Sequence, residues 1–259
     1  MKSIWTGAIG FGLVNIPVKM YSAVHDSSLD LDMLDKKDLS NIRFRRVNEN
    51  TGKEVAWENI VRGYKSGDRY IVLTDEDFEK ASPEKTKLID ISEFVDEREI
   101  DSMYYETPYY LEPEKSGIKA YALLRDALHK TGKAAFGSYV LRNRESLCMI
   151  KPKGGLLILN KIRFAEEIRT AEEIRVPGSK AKPAELKMAI ELIDRLTGKF
   201  NISGYKDSYS ADLMKLIKAK ARGKKPAQAP LRLVHSRGKD LLSQLKASLE
   251  TGSRKKKAS

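Results

Sequence analysis

Histidine and cysteine are the residue types best suited to holding a metal ion or acting as a nucleophile, and this chain has few of them. His25, His129 and His235 lie far apart and have no acidic or cysteine neighbours at ligand spacing. Cys148 is the single cysteine, which excludes an internal disulfide and a cysteine-based zinc site. We therefore expect no metal ion and no other cofactor.

Motifs that hold nucleotides or build a nucleophilic triad do not appear in this sequence either. It has no GxxxxGKS/T phosphate loop, and the spacing Gly7-x-x-Gly10-x-Gly12 differs from the dinucleotide-binding fingerprint. No nucleophile-elbow motif supports a catalytic serine. The acid-rich run from Asp75 to Asp101 mostly flanks apolar positions, and we interpret it as a solvated face.

One catalytic chemistry remains as an alternative. A lysine with a lowered pKa beside a basic groove can form a Schiff base with an abasic deoxyribose and cleave it. Lys2 or the α-amino group would supply the amine if either faces DNA. Lysines that bind phosphate, or are only solvated, are the simpler interpretation. We therefore expect a protein that is not an enzyme and keep an abasic-site (5′-dRP/AP) lyase as the alternative function.

Positive charge is concentrated at one end of the chain. The net charge is +12, and residues 215–259 hold 14 Lys and Arg against 2 Asp and Glu. The preceding residues hold 34 of each sign and are neutral. Such a tail suits nucleic acid or an anionic membrane surface, or serves only solubility. No apolar run approaches the ~18 residues of a transmembrane helix, so we expect a cytoplasmic, nucleoid-associated protein.

The neutral part of the chain separates its charges by segment. Residues 41–70 carry seven bases and four acids, residues 75–101 carry eleven acids and four bases, and residues 125–163 carry nine bases and two acids. A fold that joins the first and third segments would have one basic surface, where the field would favour a polyanion. Ordinary surface patterning is the alternative.

The elements that would position these charges are mostly strands. Thr74 and Asp77 resemble a capping box that opens a short helix, and apolar spacing predicts a helix at 118–131 with Gly132 just past its end. Regular βαβ alternation is missing, which favours an antiparallel barrel, so the fold class is α+β, mainly β. We predict strands within 4–23 (a bent strand or a strand pair), and at 43–47 with a turn at 50–53, 69–73, 88–95, 104–111, 134–142, 145–150 and 156–164.

Helices replace strands after about residue 180. Pro183 can open a helix that stops at Gly198, and Ser210 can cap a second helix that ends at Gly223. A linker at 224–230 precedes a short amphipathic helix at 239–249 and a basic end at 254–257. The apolar stripe of the first of these helices consists of Leu186, Ile190, Ile193 and either Leu196 or Thr197.

The string WTGAIGFGLVNIPV at 5–18 resembles the N-terminal signature of bacterial Ku. Shorter similarities follow in the same order and extend the resemblance from residue 1 to about residue 222. They are Val61-x-Gly63-Tyr64, residues 86–94, Glu99-Ile100-Asp101, Tyr109-Tyr110-Leu111, residues 120–128, residues 141–145, Glu167-Ile168-Arg169 and Tyr209-x-x-x-Leu213.

This resemblance implies a Ku-type antiparallel β-barrel core with a projecting β-bridge and a C-terminal helical arm. It implies a homodimer that forms a preformed ring around duplex DNA, without base specificity, a metal or nucleotide hydrolysis. Such a ring slides inward from a double-strand break and recruits and stimulates ligase D in bacterial non-homologous end joining. The expected partners are double-stranded DNA ends, a second copy and ligase D, with no membrane and no small-molecule ligand.

The DNA-binding residues implied by the resemblance are cations, because binding without sequence specificity needs positive charge at phosphates. Some of them are ordinary surface cations in the alternative interpretation. The bridge, at about 41–70, contributes Arg43, Arg45, Arg46, Lys53, Arg62, Lys65 and Arg69. The second basic segment contributes Lys130, Lys133, Arg142, Arg144, Lys151 and Lys153.

We place the barrel core with its bridge at 1–180, a dimerising helical arm at 181–222, and the linker, amphipathic helix and basic tail at 223–259. Packing of the arm helices against their own barrel is the alternative role for the arm. The last helix is expected to bind the ligase or, alternatively, to dock on its own chain. Its anchor residues are Leu241, Leu242, Leu245 and Leu249.

Overall fold

Seven strands of the computed structural model close into a barrel, and two further strands pair outside it. The structure describes residues 1–82, 86–172, 174–176, 178, 180–223, 244, 245 and 248. The strands are β1 (Trp5–Phe11), β2 (Val14–Ser22), β3 (Arg62–Ser66), β4 (Arg69–Leu73), β5 (Leu88–Asp96), β6 (Tyr105–Pro113), β7 (Lys133–Leu141), β8 (Arg144–Lys153) and β9 (Leu156–Ile162). The helices longer than one turn are α1 (Asp75–Ala81), α2 (Ile118–Thr131), α3 (Pro183–Leu196) and α4 (Ser208–Ala221).

The barrel strands follow the order β1-β2-β6-β9-β8-β7-β5, and β5 pairs with β1 to close the sheet. That closing pair is parallel and the other pairs are antiparallel. Helix α2 connects the end of β6 to the start of β7, and we name that end of the barrel the helix end. β2 ends and β5 begins at the opposite end, which we name the excursion end because residues 23–87 leave and return there. The predicted fold class, α+β and mainly β with an antiparallel barrel core, is confirmed.

Apolar side chains that alternate along the strands fill the barrel interior. Ile16, Val18 and Met20 of β2 are fully buried, whereas the residues between them are only partly buried. Helix α2 adds Tyr121 and neighbouring leucines to the same cluster. The predicted end of this helix is confirmed, because Gly132 has a φ of 66°, the left-handed conformation that terminates a helix.

The hydroxyl of Tyr121 lies between β6 and β9. It donates a hydrogen bond to the Leu111 carbonyl over 2.6 Å and accepts one from the Leu157 amide over 2.7 Å. Leu111 and Leu157 are partners in the strand register. The hydroxyl therefore satisfies two buried backbone groups and attaches α2 to the barrel.

Two glycines allow strands to approach closely. A Cβ on Gly7 would overlap both the Lys87 carbonyl and the ring of Trp5, whose indole N–H donates to the Val140 carbonyl over 3.2 Å. A Cβ on Gly137 would overlap the backbone of β5. These close contacts at the excursion end leave no room for a side chain at position 7, which explains the glycine in the N-terminal signature.

One predicted strand is wrong and one strand was not predicted. Residues 43–47 form no strand, and only an isolated bridge joins Val47 to Glu54 across the predicted turn. A strand needs a partner along its length, and none of the described strands pairs with this segment. β3 escaped prediction because Gly63 and the charges around it lower its strand propensity.

The capping box and the helix at Pro183 are confirmed. The predicted Ser210 cap is wrong, since the Asp207 carboxylate accepts from the Ser210 amide over 3.2 Å and begins α4.

The chain divides into two compact units, 1–26 with 30–170, and 27–29 with the described residues from 171 onward. Across the residues that the structure describes, none of the helices is long and apolar enough to span a bilayer.

Candidate nucleic-acid interface

The excursion between β2 and β5 is exposed along almost its whole length. No residue from 23 to 82 is buried. Apolar side chains are exposed with the rest: the exposed fractions of Trp57, Tyr64 and Tyr70 are 64%, 68% and 68%. The ribbon β3–β4 pairs only with itself within the described residues. The cations that the sequence places here are therefore accessible to a large ligand.

The four predicted DNA-binding cations in the first half of the excursion differ in their surroundings. Arg45 forms an ion pair with Glu54 over 2.8 Å, and the Arg46 guanidinium stacks 4.5 Å from the centre of the Trp57 ring. Arg43 and Lys53 are exposed and form no ion pair with any described residue. Two of the four cations thus already have partners, and two are free to meet a phosphate.

The register of the β3–β4 ribbon separates its three cations. Cross-strand partners lie on the same side of a ribbon, and successive residues on opposite sides. Ser66 pairs with Arg69 and Lys65 pairs with Tyr70, so Arg62 and Arg69 share one face and Lys65 is on the other. One phosphate backbone lying along the ribbon can therefore meet one of these two sets, but not both.

Six cations of the second basic segment lie at two opposite ends of the barrel. Arg142 and Arg144 are at the turn between β7 and β8, at the excursion end. The ten residues of β8 span about 30 Å, and the remaining four lie beyond its other end or near it. Those four, at the helix end, are Lys130, Lys133, Lys151 and Lys153.

Carboxylates surround the cations of the helix end. Lys151 is half-buried, forms an ion pair with Glu97 and lies 5.4 Å from the centre of the Tyr105 ring. The Arg98 guanidinium, with a smaller contribution from Lys133, lowers the pKa of Asp96 to about 2. The positive charge at this end is therefore partly neutralised.

Alternative chemistry has little support in the described residues. Burial raises the pKa of the Cys148 thiol, so this side chain stays protonated and is not a nucleophile. No group of three or more His, Cys, Asp or Glu residues is placed to hold a metal ion in the described part of the chain. Among the proposed ligase anchors, Leu245 is helical and half-buried. The other three, Leu241, Leu242 and Leu249, lie outside the described residues.

Comparison with known proteins gives a consistent result. The family model described as the Ku70/Ku80 beta-barrel domain matches residues 10–188. Several curated relatives carry the name "Non-homologous end joining protein Ku". The one from Cupriavidus necator is 42% identical over 85% of this chain and 67% of its own, and the one from Opitutus terrae is 39% identical over 99% and 95%. The one from Archaeoglobus fulgidus is 38% identical over 96% of this chain and 99% of its own. With the closed barrel and its exposed excursion, these matches show that the chain belongs to the Ku family.

Proposed function

We propose that two copies of this chain form a ring that binds double-stranded DNA ends without sequence specificity and acts in non-homologous end joining. The relatives named for that process support this function. The observation that carries it is the excursion between β2 and β5, which has no buried residue from 23 to 82 and a net positive segment at 41–70, with seven bases and four acids. An excursion of this kind suits a polyanion held against it.

A second copy would explain why so much apolar surface is uncovered. A two-stranded ribbon alone is at best marginally stable in water, and β3–β4 exposes large side chains on both faces. Helix α3 likewise has an exposed apolar stripe, with Leu186, Ile190 and Ile193 at helical spacing. An isologous contact between two copies would cover such surfaces.

Binding should depend strongly on salt, because cations at phosphates release counterions. If the ring engages ~6–10 phosphates, affinity should fall by ~10³–10⁵ between 50 and 200 mM salt. The candidate contacts are the thirteen cations of the two basic segments. Of these thirteen, Arg142 and Arg144 at the excursion end and the cations on a single face of the β3–β4 ribbon are the best placed to contact phosphate.

A closed ring also restricts how DNA can enter, and this gives the decisive test. A gel shift would compare linear duplex, covalently closed circles and linear duplex whose two ends are blocked by hairpins. Linear duplex should bind, closed circles should not, and blocked ends should weaken binding. Equal binding to circles and linear duplex would reject threading and favour a general architectural DNA-binding protein. A monomeric protein in solution would reject the ring.

Recruitment and stimulation of ligase D is the remaining part of the proposal. The amphipathic helix at 239–249 would supply the anchors, and the basic cluster at 254–257 would hold flanking DNA electrostatically. Truncation after Arg222 should leave end binding largely intact and weaken stimulation of the ligase. Unchanged stimulation by the truncated protein would reject this assignment.

A lyase is a second candidate function, favoured by one cavity. Met1 and Lys2 line a surface cavity of about 350 Å³ together with His25 and Tyr110. Because Ser22 and Ala23 also line it, this cavity is at the excursion end of the barrel. Borohydride should trap a covalent adduct with an abasic duplex if an amine of this cavity forms a Schiff base. Absence of an adduct would remove this candidate and leave the binding function unaffected.

A further inference from the structure

Arg142 occupies a backbone position that glycine fills elsewhere in the barrel. Four hairpins of the described residues have two-residue turns, and in each turn the first residue has a positive φ. Three of these first residues are Gly12, Gly67 and Gly154, with φ from 56° to 62°. Arg142, with a φ of 54°, is the fourth. A side chain with a Cβ is strained in this conformation, and glycine is not.

Lys87 is a second cation in the same conformation, with a φ of 47°. It is the last residue of the excursion, directly before β5, and its carbonyl accepts a hydrogen bond from the Ala8 amide over 2.9 Å. That bond to β1 ties the lysine backbone to the barrel. Sequence patterns did not single out Lys87, because its backbone conformation is visible only in the structure.

These two cations belong to neighbouring strands at one end of the barrel. β5 and β7 pair antiparallel, with Ile89 opposite Tyr139. Lys87 immediately precedes β5 and Arg142 immediately follows β7, so both lie at the excursion end. Arg144, one turn residue further on, begins β8 at the same end.

Packing does not account for the strain at these positions. Both side chains are exposed, and neither forms an ion pair with any described residue. Among the described residues, Glu145, opposite Val140, and Asp90, three residues after Lys87, are the nearest acidic residues in the strand register, and both are exposed. Strained backbone is retained where a side chain has a role that a less strained residue could not fill. For an exposed lysine and arginine at the end of the barrel from which the net positive segment 41–70 extends, that role is binding an anion.

We propose that Lys87 and Arg142 together form a phosphate-binding site for the DNA backbone at the excursion end of the barrel. This inference rests on the proposed function and makes it more specific. This site contacts the duplex where the excursion rejoins the barrel, and it does not include the four lysines of the helix end. Neither residue has to identify a base, in keeping with binding without sequence specificity.

The test measures affinity for a linear duplex by fluorescence anisotropy at several salt concentrations. Lys87→Asn and Arg142→Asn remove the charge and install a residue that tolerates positive φ. Lys87→Arg and Arg142→Lys keep both charge and strain. Lys119→Gln, at an exposed lysine of α2 that belongs to neither basic segment, is the matched control for loss of one charge.

Each substitution to asparagine at the excursion end should lower the slope of log affinity against log salt by about 0.9 per phosphate, or about 1.8 for two copies. Between 50 and 200 mM salt, the factor by which the affinity of such a variant falls should therefore be about ten times smaller than the factor for the wild type. The melting temperature should rise by about 2–4 °C, since strain is relieved. The charge-keeping variants and Lys119→Gln should retain the wild-type slope.

Two results would overturn this assignment. One is a wild-type slope for both asparagine variants at the excursion end, and the other is an equal loss of slope in Lys119→Gln. If an asparagine variant fails to fold, Lys87→Gln and Arg142→Gln remove the same charge while keeping the native strain, and the same slopes decide. A wild type that binds closed circles as well as linear duplex would refute ring threading, not this site.

Discussion

Replacing Tyr121 with phenylalanine removes one oxygen atom and two hydrogen bonds. The hydroxyl is the partner of both the Leu111 carbonyl and the Leu157 amide, and the tyrosine is only 4% exposed. A buried backbone group left without a partner costs ~1–3 kcal/mol. Partial closure of β6 onto β9 would recover some of the loss for two such groups. We therefore expect the free energy of unfolding to fall by about 2–4 kcal/mol.

Tyr139→Phe is the matched control, because it deletes the same atom from the same barrel. The Tyr139 ring is 1% exposed, and its hydroxyl has no hydrogen-bond partner among the described residues. Burial also raises the pKa of this phenol, so the group is held neutral and contributes no charge. Its removal should leave stability unchanged or raise it by up to ~1 kcal/mol.

Urea denaturation followed by circular dichroism would measure both variants, at one protein concentration because dimerisation would contribute to stability. A fall in the midpoint without a change in slope would show that stability, and not the compactness of the unfolded state, has changed. The reasoning is wrong if Tyr121→Phe lies within about 0.5 kcal/mol of the wild type, or if the two variants lose the same amount.

Three further predictions follow from the barrel and the ribbon. Gly137→Ala should destabilise the protein by at least ~2 kcal/mol, because its Cβ would meet backbone that cannot move aside, whereas Gly198→Ala, in open space, should change the melting temperature little. The Arg98 guanidinium lowers the pKa of Asp96 to about 2. The stabilising contribution of this carboxylate is therefore present above about pH 4 and is lost as the pH falls through 2. Between these two pH values, the melting temperature of Asp96→Asn should drop less than that of the wild type. Substituting glutamine for Arg62 or Lys65, which lie on opposite faces of the ribbon, should lower the salt dependence of DNA binding in one variant but not both, and equal effects would contradict the assigned register.

Local elements of this protein were predictable because neighbouring residues determine them. The helix at 118–131 follows from apolar spacing and a terminal glycine, and the cap at Thr74 from a side chain three residues from its partner. The β8–β9 hairpin follows from two successive glycines, both of which have a positive φ. In each case the interacting groups lie within a few residues of one another, so their types and spacing were enough.

The site was less predictable, because its geometry depends on which strands become neighbours. The two basic segments could be counted from the sequence, but only the register of β8 shows that Arg142 and Lys153 are at opposite ends of the barrel. Only the pairing of β5 with β7 brings Lys87 to the same end as Arg142. The amino-acid sequence by itself determined the cationic character, the barrel class and the family resemblance. Closure of the barrel decided which charges share a surface, since residues far apart in the chain become neighbours only when the strands pair.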